Sequence, residues 1–187
     1  MINENKIKVL GIAGSLREGS FNRALLRAAK ELAPDTMEIE IVDIKDIPLF
    51  SQDFESSVPE SIVELKKKVE AADAILFVTP EYNYSIPGVL KNTIDAVSRP
   101  YGQNSWNDKP VAIMSASVGM LGGARAQYHL RQTFVFLDMH PLNRPEVMVP
   151  FVNDKFDANL TLTDEKTKNA VIEQLKALDI WTRRITA

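Results

Sequence analysis

Residues 73–99 read DAILFVTPEYNYSIPGVLKNTIDAVSR. The segment DAILFVTP (73–80) is almost continuously apolar, which suits a strand covered on both faces. Pro87 suits the first position of a helix. Val89, Leu90, Thr93, Ile94 and Val97 then recur at helical spacing through Arg99. A doubly covered strand followed at once by a helix is the unit of a parallel α/β sheet. Between the two lies PEYNYS (80–85), which puts a glutamate, two tyrosines and an asparagine where the apolar strand has just ended. Pro80 and Pro87 restrict φ at both ends, lowering the entropy lost on ordering the loop. A planar heterocycle could lie against Tyr82 and Tyr84, with main-chain N–H groups at its polar edge.

The same alternation extends in both directions. KIKVLGIAG (6–14) is β-branched and apolar and stops at Gly-Ser, and NRALLRAAKELA (22–33) has helical spacing and ends before Pro34. MEIEIVDI (37–44) alternates strictly, as a half-buried strand should. After a loop at 45–57, Ser57 and Glu60 stand at capping-box spacing and predict a helix to about Ala72. KPVAIMSAS (109–117) is a fourth strand, and GGARAQYHLRQTFVFLDM (122–139) is most simply a helix. PEVMVPF (145–151) is a fifth strand, and Thr163 caps a final helix with Asp164 and Glu165 in its first turn. The expected fold is a flavodoxin-like three-layer α/β/α domain over residues 1–187, with a five-stranded parallel sheet in the order 2-1-3-4-5. Ligands on such sheets bind beyond the carboxyl ends of the strands, at the switch between strands 1 and 3. The loops after strands 1, 3 and 4 should therefore converge.

Composition narrows the chemistry. A chain of 187 residues with 45% hydrophobic and 25% charged residues can bury a core without staples. Cysteine is absent, so disulfides, thiolate nucleophiles and cysteine metal sites are excluded, and two histidines are too few for a typical histidine metal cluster. A net charge of −3 supplies no basic stripe for nucleic acid or a membrane surface. The apolar run near the N-terminus is too short for a signal sequence or a membrane span, so a cytoplasmic protein is expected.

In the first loop, GSLREGSFNRAL (14–25), a helix should begin near Ser20 or Phe21. Its free N–H groups and positive dipole end favour an anion. Gly14 and Gly19 permit backbone bends. Ser15, Ser20 and Asn22 offer donors, and Arg17 adds charge. G-x-x-x-x-G-K-[ST] does not fit, because Ser20 stands where lysine is required, and GIAGSLREG (11–19) does not fit G-x-G-x-x-G. A monophosphate suits this loop better than ATP or a dinucleotide. In the third loop, SASVGMLGGARAQYHLRQ (115–132), Ser115, Ser117 and Gly119 are small enough for a ring edge to approach the backbone.

GSLREGSFNRAL, TPEYNYSIPGVLKNTIDAVSR and GGARAQYHLRQ together resemble the NAD(P)H-dependent FMN reductases, a flavodoxin-like family that includes quinone, chromate and azo-dye reductases. The likeness runs from the first strand to the fifth, and the motifs show no departure from the pattern. It implies that Ser15, Arg17, Ser20, Phe21 and Asn22 cradle the FMN phosphate. By the same resemblance Glu81, Tyr82, Asn83 and Tyr84 would line the isoalloxazine, with Ser117 approaching from the third loop; the reading of the loops themselves adds Pro80, Ser115 and Gly119 to the expected cofactor site. It also implies NADPH or NADH as cosubstrate, a small-molecule electron acceptor, a homodimer or homotetramer, and ping-pong kinetics. The flavin N5 would carry the chemistry, with no protein nucleophile and no metal. Arg17 could also meet the 2′-phosphate of NADPH.

The alternative is a flavodoxin-type electron carrier, which is typically more acidic than this chain. A phospho-receiver domain would need an acidic pair after strand 1, where Gly14 and Ser15 stand instead. Phe134, Val135, Phe136 and Leu137 cover more than one face of their helix and predict burial beyond the sheet, as in an oligomer. Trp106, in a long loop, is either a loop anchor or a shaper of access. Lys66 to Lys68 read as a solvated helix face, and His129 and His140 as structural or surface residues. Glu81 is either an exposed loop carboxylate or a helix cap.

Overall fold

A computed structural model describes residues 6–187. β1 (Ile7–Ala13), β2 (Met37–Val42), β3 (Ala74–Thr79) and β4 (Pro110–Ala116) form a parallel sheet in the order β2-β1-β3-β4. β5 (His140–Pro141) and β6 (Val147–Val149) both pair with β4. Among the described residues five α-helices connect and flank the strands: α1 (Phe21–Glu31), α2 (Glu60–Ala71), α3 (Gly88–Val97), α4 (Ala124–Leu137) and α5 (Glu165–Ile185).

The period of two divides the sheet between two cores. Val9, Leu76, Val78, Ala112 and Met114 face α1 and α5. Leu10, Ile12, Ile75, Phe77 and Ile113 face α2, α3 and α4. Every residue of β3 and β4 is buried, as a centre covered on both faces requires. No helix among the described residues is long and apolar enough to cross a membrane.

The flavodoxin-like order holds, but the fifth position departs from the expected strand at 145–151. Two short strands occupy it, and the sheet has six strands. The N–H groups of His140 and Leu142 bond β4 at Lys109 O and Val111 O, so Pro141 costs that ladder no donor. Residues 143–146 leave the ladder, and side chains take carbonyls within that gap and at its two sides. Gln174 donates to Pro145 O at 2.7 Å, Gln127 to Val147 O at 2.8 Å and Arg131 to Leu142 O at 2.9 Å.

Several helix starts also shift. Ser57 closes a 3₁₀ turn at Gln52–Ser56 by donating its N–H to Phe54 O, so the capping box does not form and Pro59 is the N-cap of α2. Pro87 is likewise the N-cap of α3, one position before the first helical residue. In the lysine run, Lys67 and Lys68 are solvated, but Lys66 is half-buried. Its Nζ donates to Val97 O, Arg99 O and Gln103 O at 2.6–3.0 Å, holding carbonyls at the end of α3. Burial pushes its pKa down and Glu70 partly offsets this.

At α5 the cap is Asp164, not Thr163. Thr163 closes a small loop by giving both its N–H and its hydroxyl to Lys155 O. Asp164 accepts the Thr167 hydroxyl at 2.5 Å and the Thr167 N–H at 2.8 Å, with Lys155 Nζ at 3.2 Å. These bonds hold its carboxyl below the usual range, the Thr167 hydroxyl contributing most. A depressed folded pKa stabilises the fold above the unfolded value and loses that contribution as pH falls through the folded one. Asp164→Ala should lower stability by about 1 kcal/mol at pH 7. In urea titrations the gap from wild type should close as pH drops below about 4.

Candidate active site

The loops after β1, β3 and β4 emerge side by side, because Ala13 stands opposite Val78 and Thr79 opposite Ser115 in the ladder. Gly14 N–H still donates to Val78 O at 2.9 Å. From there the first loop turns into α1, where Ser20 is the N-cap and accepts the Arg23 N–H at 3.4 Å. The N–H groups of Ser15, Leu16, Phe21 and Asn22 find no acceptor within the chain among the described residues. Unspent main-chain donors at a helix N-terminus, beside the Ser15 hydroxyl and the exposed Arg17, match a phosphate in charge and donor type.

Neither Gly14 nor Gly19 has a positive φ, so the bends they permit use ordinary backbone angles. Gly14 is required for space: a Cβ there would lie 2.7 Å from Thr79 Oγ1 and 3.0 Å from Leu90 Cδ2. The third loop has two left-handed glycines, Gly122 (φ 59°) and Gly123 (φ 89°). A Cβ on Gly122 would lie 2.8 Å from the backbone of Met148, and one on Gly123 would lie 2.8 Å from Ser115 Cβ.

Two polar candidates turn inward. Asn22 is 3% exposed, and its amide is committed to β4, donating to Ala116 O and accepting from Ala116 N–H, both at 2.9 Å. β3 ends opposite Ser115, so the next residue of β4 has no strand partner on that side. The Asn22 amide fills that place and leaves only its own backbone N–H for an anion. Ser115 is fully buried; its hydroxyl donates to Gly122 O at 2.6 Å and accepts from Gln127 at 2.7 Å. It ties the third loop together and presents no group to a ring. Ser117 lies at the rim and accepts the exposed Gly119's N–H at 3.1 Å. The Phe21 ring also turns away, onto Phe156 with centroids 5.4 Å apart.

The second loop is a tight turn. Tyr82 and Ser85 exchange backbone hydrogen bonds of 3.1 and 2.9 Å. Asn83 and Tyr84 both have positive φ, 49° and 68°. That geometry suits asparagine but is strained for a tyrosine. Tyr82 is 50% exposed and Tyr84 67% exposed. Thr79 Oγ1 holds Pro80 O at 3.0 Å. Glu81 is a helix cap: Oε2 accepts the Arg125 N–H at 3.1 Å in the first turn of α4, and Oε1 pairs with the Arg125 guanidinium. The carboxylate therefore faces α4, and only the Glu81 backbone is left to line a ring.

Arg125 is the site residue that sequence reasoning left without a role. Its guanidinium carbon lies 3.4 Å from the centre of the Tyr84 ring. Its partner Glu81 is 44 positions away, so no local pattern could have joined them. The rim is completed by exposed apolar side chains: Leu16 from the first loop and Val118, Met120 and Leu121 from the third.

A flavodoxin-like sheet with an anion-ready first loop beside an aromatic and apolar shelf defines a flavoprotein of the nucleotide-binding α/β class. The model of the NADPH-dependent FMN reductase family matches residues 7–154, and the chain belongs to that family. It is 53% identical over 180 residues to an NAD(P)H-dependent FMN reductase of Pseudomonas aeruginosa, covering 96% of this chain and 97% of that one. It is 50% identical over 182 residues to an NAD(P)H:quinone oxidoreductase of Solanum tuberosum, covering 92% of each. Among solved structures it is similar to the flavoenzyme NAD(P)H:(acceptor) oxidoreductase FerB of Paracoccus denitrificans, with a TM-score of 0.88 and 36% identity over 95% of this chain and 98% of that one. The protein is thus an NAD(P)H-dependent oxidoreductase with FMN as its cofactor.

Proposed function

We propose that the protein reduces quinones with NAD(P)H, donor and acceptor using one open slot in turn. The observation that carries this is the pairing of unspent N–H donors at Ser15, Leu16, Phe21 and Asn22 with the exposed shelf of Tyr82, Tyr84, Val118 and Met120. When bound, FMN supplies the hydride-accepting and electron-donating chemistry. The chain's own part is to bind and orient. Main-chain N–H groups, the Ser15 hydroxyl and Arg17 hold the phosphate. The Asn83–Tyr84 turn and the Glu81 backbone form a wall for the ring, and Ser117 and Gly119 border it from the third loop. The apolar rim favours flat, uncharged acceptors, so quinones should be preferred over oxyanions such as chromate.

The purified protein incubated with FMN should show flavin bands that bleach with NADPH and return with a quinone. A preparation that takes up no FMN overturns the reading. One slot used in turn predicts parallel lines in double-reciprocal plots, and intersecting lines would contradict it. Steady NAD(P)H oxidation in the presence of a quinone separates this reading from that of an electron carrier.

Self-association is part of the proposal. α4 buries Phe134 and Leu137 but leaves Val135 and Phe136 more than 80% exposed, on one outer face with Tyr128. That apolar stripe favours a homodimer or homotetramer. Sedimentation at micromolar concentration should show the oligomer, and a monomer would remove it.

A further inference from the structure

We propose that Arg125 is a positioning residue, whose guanidinium clamps Tyr84 and thereby holds the 82–85 turn in the single pose that walls the ring site. The functional half of this inference rests on the FMN reading above; the clamp itself does not.

Three unfavourable features meet at this point. Tyr84, a bulky residue, holds φ 68° directly after Asn83 at φ 49°. Arg125 Nε is buried without a hydrogen-bond partner. The turn projects from the end of β3 with its tyrosines exposed, so core packing does not secure it. Something must over-determine the pose, and α4 does so at two points. Arg125, fixed through both its N–H and its guanidinium by Glu81, holds its guanidinium carbon 3.4 Å from the centre of the Tyr84 ring. One helical turn on, His129 Nδ1 stands 2.9 Å from Ser85 Oγ. Glu81 immediately precedes the turn and also caps α4, so one carboxylate locks the turn and the helix into a fixed relation. A stacked guanidinium contributes planarity as well as charge, which lysine cannot reproduce.

The test begins with protein freed of cofactor. Amide hydrogen exchange at Tyr82 and Ser85 should speed up about three- to tenfold in Arg125→Ala, with exchange in β3 and β4 unchanged. Arg125→Lys should resemble the alanine variant. Tyr84→Ala, at an exposed site where folding is not at risk, should also speed exchange at Ser85 while leaving the Glu81 cap of α4 in place. In loaded protein, FMN dissociation constants should rise by a similar factor in all three variants. Unchanged exchange at both amides in Arg125→Ala and in Tyr84→Ala overturns the clamp. Full rescue by lysine overturns the stacking part of it. Failure of wild-type protein to bind FMN would sink the proposed function but leave the exchange result standing, so the two are separable.

Discussion

Replacing Asn22 by alanine is expected to lower stability by about 2–5 kcal/mol. The substitution leaves both the N–H and the carbonyl of Ala116 without a partner in a site that is 3% exposed. Each orphaned group carries its own desolvation penalty, so the loss should exceed that of one ordinary hydrogen bond. The site should suffer as well, because this amide joins the start of α1 to the end of β4. FMN affinity should fall by about tenfold or more, the equivalent of about 1.4 kcal/mol. Urea denaturation and fluorescence titration with FMN read the two effects. Stability within about 0.5 kcal/mol of wild type would show that water replaces the amide freely and that the tether is unimportant.

Trp106→Ala should be equally severe, at about 3–5 kcal/mol. Trp106 is fully buried; its indole N–H donates to Ile94 O at 3.0 Å and its ring lies 5.6 Å from Phe77. Phe77 in turn stacks on Phe134 at 5.9 Å, so the side chain links the 100–109 loop to β3 and α4. It is a loop anchor and has no surface with which to shape access. Truncation should lower the thermal midpoint by many degrees. Trp106→Phe should recover much of the packing but not the bond to Ile94. An alanine variant that unfolds near the wild-type temperature would contradict this account.

The alternation of apolar strands with amphipathic helices was enough to derive the order of β2, β1, β3 and β4 and to identify the three loops at the carboxyl edge. Burial period and helix spacing are local signals, and this fold obeys them closely. DAILFVTP reads as doubly covered, and every residue of β3 is buried. Ser20 reads as a helix start and is the N-cap of α1. The errors fall where two local options compete. Ser57 and Thr163 both have capping chemistry, but each is drawn into a neighbouring turn, leaving the cap to Pro59 and Asp164. The fifth strand reads as one run over 145–151, but only Val147–Val149 pairs with β4 there, and a second short strand at His140–Pro141 lies outside that run.

From its sequence alone this protein is legible as a flavodoxin-like fold with a place for a monophosphate and a flat ring, because strand and helix periods and the placement of Gly, Ser and Tyr at strand ends are properties of neighbouring residues; FMN itself is what the resemblance of the three loop motifs implies. Only the tertiary structure decided which polar side chains of those loops face outward. Asn22, Ser115 and Glu81 all have the chemistry to meet a ligand, yet each spends its side chain on partners up to 94 residues away. A buried backbone group left unpaired at the end of a strand takes the nearest suitable side chain in space, and distance along the chain carries no trace of that choice.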